Sequence, residues 1–180
     1  MLSETLRSKV IDNEGIETHF LRVNKVQFDL NNLIKTIIKF YEKQINKPNI
    51  TLKTDLTSDN TLVQADKGWI TQVINNLLNN AFKFTAHGSI VVSTEFRNER
   101  KNKGTHSHLN SVIVSVKDTG ISINPEILPR LFEKFATKSS EGTGLGLYIS
   151  KNIVEAHGGK IRAKNNINNK GATFAFSLPI

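Results

Sequence analysis

DKGWITQVINNLLNNAFKFT, residues 66–85, is the stretch on which the fold turns. Ile70, Val73, Ile74, Leu77, Leu78 and Ala81 recur at spacings of three and four, the buried stripe of an amphipathic helix, and Asp66 stands where a capping side chain is needed. The spacing predicts a helix from about Lys67 to Phe84, punctuated by His87-Gly88. Asn76, Asn80 and Lys83 fall at i, i+4 and i+7, so two amides and an ammonium share a face away from Leu77 and Ala81. Neutral amide oxygens suit a Mg²⁺ ion that already carries phosphate oxygens, and a lysine one turn on can neutralise a phosphate. A solvated face in an Asn-rich chain would read the same, so this helix alone leaves both readings open.

Working outward, Leu30, Leu33, Ile34, Ile37, Ile38, Tyr41 and Ile45 predict another amphipathic helix over Asp29–Asn46, stopped by Pro48. Ile50–Leu56 and Thr61–Ala65 alternate like strands, and their closeness predicts a hairpin. Ile90–Phe96 and Val112–Val116 are Val- and Ile-rich strands joined by a polar, basic loop, Arg97–Ser111, expected to be a mobile tip. Asn124 and Pro125 would cap and open a helix running through Ile127, Leu128, Leu131, Phe132 and Phe135. Gly146–His157 has helical spacing with a Gly158-Gly159 stop, and Lys160–Lys164 with Ala172–Leu178 should close the chain as a hairpin. Before Lys25 the pattern is loose, as at the end of a longer helix followed by a connector, which puts a boundary near Val26. Helices and strands without strict alternation predict an α+β, two-layer α/β sandwich.

Composition narrows the function. The chain has 180 residues, 38% of them apolar and 22% charged, which is an ordinary globular balance sufficient for one compact domain. It has no cysteine, so disulfide scaffolds and thiolate metal sites are excluded. The first residues are charged throughout and do not form a secretory signal, so the segment is expected to stay in the cytoplasm. The longest uncharged run, Gly68–Phe82, contains four Asn and is too short and polar to span a membrane. The net charge of +8 favours anionic partners without choosing among them. No aromatic sheet motif or recognition helix accompanies the basic tip, so nucleic acid is not the expected partner.

Two further segments bear on chemistry. Gly142-Thr143-Gly144-Leu145-Gly146-Leu147 is a glycine loop opening a helix, which lets backbone N–H groups approach an anion. No Lys-Ser/Thr follows it and no strand precedes it, so it is neither a Walker loop nor a dinucleotide fingerprint; a simple hinge is the other reading. Asp118-Thr119-Gly120 closes a strong strand, where a carboxylate is either functional or turn-forming.

Taken in order, these segments resemble the ATP-binding catalytic domain of sensor histidine kinases, within the superfamily of gyrase, heat-shock chaperone, histidine kinase and mismatch-repair ATPases. QVINNLLNNAFKFT (72–85) resembles the N box, VKDTGISI (116–123) the first glycine box and LFEKF (131–135) the F box. GTGLGL (142–147) resembles the second glycine box and KGATFAFSLP (170–179) the closing one. The resemblance covers about Phe28–Pro179 and implies a Bergerat-type fold, a mixed sheet with helices on one face and a mobile ATP lid at Ala136–Thr143.

It also implies roles. Asp118 would accept a hydrogen bond from the adenine amino group and Gly120 would leave room for the base. Asn80 would be the Mg²⁺ ligand, Asn76 would stand beside metal and phosphates, and Lys83 would reach the phosphate chain. The backbone of Gly142, Gly144 and Gly146 would wrap the triphosphate, with Thr143, Leu145 and Thr173 of the same boxes counted as nucleotide contacts. Lys138 of the lid would add a phosphate contact, and Phe132 and Phe135 would seat the lid on the core.

The chain departs from the pattern in two places. Ser122 stands where the first glycine box usually has a second glycine. Hydrolysing members carry a glutamate base four residues before the metal asparagine; Asn76 cannot take that proton, which favours phosphoryl transfer over hydrolysis. The resemblance assigns residues 1–25 to the tail of a dimerisation hairpin and a connector, and 26–180 to the catalytic domain. The acceptor histidine would lie in the hairpin: Phe20 follows His19 where an acidic residue is normal, and His87, His106, His108 and His157 also lack that context. The expected function is ATP-Mg²⁺ binding and γ-phosphoryl donation to that histidine, with a response regulator downstream. The alternative is an ATP-driven switch or interaction module without kinase activity.

Overall fold

The computed structural model describes residues 7–11, 17–44, 48–100, 108–136, 143–167 and 170–180. Its elements in order are β1 (Arg7–Ile11), β2 (Glu17–Arg22), β3 (Val26–Asp29), α1 (Leu30–Gln44), β4 (Ile50–Leu56), β5 (Leu62–Ala65), α2 (Lys67–Phe84), β6 (Gly88–Arg100), β7 (His108–Asp118), α3 (Gly146–Ala156), β8 (Ile161–Asn165) and β9 (Ala172–Pro179). Five strands form one mixed sheet in the order β4-β6-β7-β9-β8, with β4 parallel to β6 and the other pairs antiparallel.

Alternation decides which face is covered. Ile90 and Val92 of β6, Val112, Val114 and Val116 of β7, and Phe174, Phe176 and Leu178 of β9 are buried in one core with α1, α2 and α3. The intervening Val91, Ser93, Glu95 and Lys117 are half-buried or exposed. The result is the expected two-layer sandwich, in which a period-two sheet face meets the period-3.6 stripes of three helices.

Four local expectations gave way. Ile50–Leu56 and Thr61–Ala65 do not make a hairpin: β4 pairs with β6 through a crossover containing α2, and β5 pairs with β3, a strand the periodicity did not reveal. Alternation fixes which face of a strand is buried but not which neighbour it takes. Past Pro125 there is a single 3₁₀ turn, Leu128–Arg130, in place of a helix to Phe135. Asn124 does start it, accepting from Glu126 N at 2.9 Å and Ile127 N at 3.0 Å, but Pro129 lacks the N–H that a continuing helix requires. Residues 7–11 and 17–22 are antiparallel strands, not the end of a helix, in keeping with apolar positions that never formed a stripe. The β6–β7 ladder also runs on to Arg100 and His108, converting much of the basic loop into strand; residues 101–107, including His106, lie outside the described residues.

The base of α2 is held by a buried junction. Asp66 caps the helix, Oδ1 accepting from Gly68 N at 3.0 Å and Trp69 N at 3.1 Å. Its own N–H donates to His157 Nε2 at 2.9 Å, which leaves the proton on Nδ1, 2.7 Å from Ile153 O. His157 is 2% exposed and neutral in this arrangement, and burial pushes its pKa below the ordinary 6.5. The unfolded chain therefore takes up this proton first, and stability falls as pH drops below about 6.5. Thermal melts between pH 7.5 and 5 should show that decline, and His157→Gln, which cannot become cationic, should flatten it. Equal slopes for parent and variant would remove His157 from the account.

Candidate functional site

A pocket of about 820 Å³ opens between α2 and the end of β7, a size typical of small-molecule sites. Asn79, Asn80, Lys83 and Phe84 enter it from α2, Asp118 from β7, and Thr143, Gly144 and Gly146 from the loop that opens α3. Ile123, Ile127, Leu131, Leu147 and Phe174 supply apolar wall. The geometry follows from α2: with Ile70, Val73, Ile74, Leu77, Leu78, Ala81 and Phe82 turned into the core, Asn80 and Lys83 are left to the pocket.

Asn76 has a different position. Its Nδ2 donates to Gly146 O and Ser150 Oγ, both at 3.2 Å, and Ser150 Oγ donates to Gly146 O at 2.9 Å. The amide thus ties α2 to the first turn of α3, joining two of the segments that the sequence had marked separately.

Asp118 is 3% exposed at the end of β7. Oδ1 accepts from Gly120 N at 2.9 Å and Ala172 N at 3.3 Å. Burial raises the carboxyl pKa above the ordinary 3.8, against the lowering effect of those N–H donors. Gly120 is required by close approach, since a Cβ there would sit 2.2 Å from Phe84 O, the atom that also accepts from Ile121 N at 3.1 Å. The glycine packs the Asp118 turn against the end of α2 and does not itself line the pocket.

Other marked residues fall as follows. Thr173 donates its hydroxyl to Asn166 Oδ1 at 2.6 Å, behind the wall. Leu145 N bonds Thr143 Oγ1 at 3.4 Å at the mouth of the loop. Phe132 packs on the core, whereas Phe135 is 69% exposed and meets Gly144 through its backbone, so its ring is not the seat expected of it. Lys138 and Gly142 lie outside the described residues, as do positions 137–142 of the expected lid. Sequence reading missed Asn79, although it adjoins Asn80 on the marked helix. It also missed the apolar wall, because Ile127, Leu131 and Phe174 carry the same spacing signal as core residues.

Residues 65–180 match the family model described as "Histidine kinase-, DNA gyrase B-, and HSP90-like ATPase". The chain belongs to this family. Within it the likeness is to histidine kinases. The sensory/regulatory protein RpfC of Xanthomonas campestris pv. campestris is 32% identical over 183 residues, covering 98% of this chain and 24% of RpfC. The chain thus spans about a quarter of the length of that curated relative. The catalytic domain of histidine kinase ThkA superposes with a TM-score of 0.71 at 34% identity, covering 86% of this chain and 95% of that one. ThkA has also been solved in complex with the response regulator protein TrrA, where the TM-score is 0.68 at 32% identity over 87% of this chain and 42% of the other. Full-length ShkA in complex with AMPPNP matches with a TM-score of 0.70 at 26% identity, over 88% of this chain and 32% of ShkA. The family's nucleotide-binding fold and its kinase-type catalytic domain are therefore those of this chain. Among the described residues no helix is long and apolar enough to cross a membrane.

Proposed function

We propose that this domain binds ATP with Mg²⁺ and donates the γ-phosphoryl group to a histidine on a dimerisation hairpin, as the cytoplasmic catalytic portion of a two-component histidine kinase. The observation that carries this reading is one pocket receiving Asn80 and Lys83 from α2, Asp118 from β7 and the glycine loop from the start of α3. In this reading residues 1–25, which include the β1–β2 pair, connect the hairpin to the catalytic domain of residues 26–180, and a response regulator receives the phosphoryl group from the hairpin. ThkA's complex with TrrA and ShkA's with AMPPNP support the regulator and the nucleotide by analogy.

The residues divide the work. Asp118 accepts from the adenine amino group, and the apolar wall sandwiches the base away from water. Among the described residues no cluster of three His, Cys, Asp or Glu could cage a metal ion by itself. The amide oxygen of Asn80 fits an ion that takes its remaining oxygens from phosphate and water, and Asn76, tied to Gly146 and Ser150, would stand beside that ion as its second amide. Magnesium bound there would neutralise charge on the phosphates as the γ-group leaves. Lys83 and the N–H groups of Gly144 and Gly146 add positive potential at the same end. Lys138 and Gly142 of the lid, with Thr143 and Leu145, complete the proposed nucleotide shell; Gly120 shapes it, and Phe135 and Thr173 act on it from outside, through the Gly144 backbone and through Asn166. Catalysis is then positioning and electrostatics, with the attacking imidazole supplied by the hairpin.

The test uses γ-labelled ATP. This chain should bind ATP, stay unlabelled and hydrolyse at background, while a matching hairpin added in trans should gain an acid-labile label on histidine. Asn80→Ala should abolish that transfer and the Mg²⁺ dependence of binding, whereas Lys83→Ala should keep the Mg²⁺ response but bind triphosphate more weakly relative to adenosine. Tight ATP binding with no transfer to any hairpin would favour a nucleotide-driven switch.

A further inference from the structure

We propose that Asn165 and Asn166, at the end of β8, are positioning residues that set the base selectivity of the pocket. The inference rests on the reading of Asp118 as the adenine acceptor and extends it to residues no family motif marked. Asp118 is the last residue of β7, and the pocket wall that follows it, Thr119 to Ile123, is a loop without regular structure that keeps its place only if its ends are fixed. Asn165 fixes one end. Its Oδ1 accepts from Ile123 N at 2.7 Å and its Nδ2 donates to Ile123 O at 2.9 Å, so one side chain pairs with a backbone residue as a neighbouring strand would.

Asn166 fixes the other end. Its Nδ2 donates to Asp118 O at 2.7 Å and Lys170 O at 3.0 Å, its Oδ1 accepts from Thr173 Oγ1 at 2.6 Å, and its N–H donates to Gly171 O at 3.0 Å. The amide hydrogens and the carbonyl oxygen are thus all engaged by the protein, which is unlike a solvated turn asparagine. The two side chains brace both ends of the segment that presents Asp118, Ile121, Ser122 and Ile123 to the pocket.

A held acceptor discriminates between purines. A base with an amino group satisfies Asp118, whereas hypoxanthine, which carries oxygen at that position, leaves the buried carboxyl facing an acceptor. An acceptor free to shift toward water loses that penalty, and so loses the selectivity. Bracing therefore governs the ratio of affinities for the two bases more than affinity for the phosphates.

Calorimetric titration of the full chain with ADP, IDP and ATP tests this on the parent, Asn165→Ala and Asn166→Ala. Thr173→Val, which removes only the hydroxyl donated to Asn166, serves as a milder variant should Asn166→Ala melt below the working temperature. The expected result is an ADP affinity lowered about tenfold with IDP nearly unchanged, so that the ADP:IDP ratio collapses, and an ATP:ADP ratio equal to the parent's. Variants that keep the parent's ADP:IDP ratio, or that weaken ADP and IDP in equal proportion, overturn the proposal while leaving the adenine reading in place. A parent with no preference for ADP over IDP overturns both.

Discussion

Asp118→Ala should weaken ATP binding roughly ten- to hundredfold, because a charge-assisted hydrogen bond from a buried acceptor is worth about 1.5–3 kcal/mol. Asp118→Asn makes the sharper comparison. An amide can keep its Oδ1 on Gly120 N and Ala172 N, which preserves the turn, but it then presents an NH₂ where the adenine amino group needs an acceptor. The asparagine variant should therefore fold as the parent does and still lose most of its affinity. Acidification should act in the same direction. Burial raises the Asp118 pKa above 3.8, so protonation removes the acceptor at a higher pH than for an exposed carboxylate, and affinity declines as pH falls through that range. Calorimetry with circular dichroism as a fold control decides the matter: an unchanged dissociation constant in a folded Asp118→Asn protein would rule out the adenine role.

Gly171→Ala should damage both stability and the site. Gly171 has a φ of +77°, and a Cβ there would lie 2.1 Å from Asp118 O and 2.8 Å from Asp118 Oδ1. The left-handed backbone alone costs about 1–3 kcal/mol in a residue with a side chain. At roughly 2–4 °C per kcal/mol for a domain of this size, the backbone cost alone should lower the melting temperature by about 2–12 °C. The atoms displaced belong to Asp118, so ATP affinity should drop even well below the melting range. Gly68→Ala is the matching control: its φ is not positive and the nearest atom to its Cβ is Asp66 Oδ1 at 3.4 Å, so stability should stay the same or rise. A Gly171→Ala protein that melts and binds like the parent would contradict the packing described for the β9 turn.

The parts of this molecule that were legible in the sequence are those where local periodicity and tertiary burial agree. Helix α2 runs from Lys67 to Phe84 with its Asp66 cap, as its apolar spacing required, and α3, the β6–β7 pair and the closing β8–β9 hairpin follow the same logic. What could not be read was partner choice. Strands β4 and β5 alternate as strands should, but their neighbours are set by the α2 crossover and by β3. The helix expected after Asn124 failed at Pro129, where one missing N–H outweighed a favourable apolar pattern. In the site, Asn80, Lys83 and Asp118 stood out because polar groups at ordered spacing are unusual. Asn165 and Asn166 did not, because asparagines in a turn give no sign of whether their amides face water or brace a wall.

The chain's only tryptophan gives the junction at the base of α2 an optical consequence. The half-buried Trp69 indole donates from Nε1 to Arg22 O at 3.2 Å, beside Val23, which is 2% exposed, and Asn24, whose N–H donates to Asp66 Oδ2 at 2.9 Å. Trp69 does not line the pocket. Its emission is thus an intrinsic gauge of how residues 22–24 lie against the first turn of α2. A change in wavelength would register strain arriving along the chain from the N-terminal side, in a protein that needs no added label to report it.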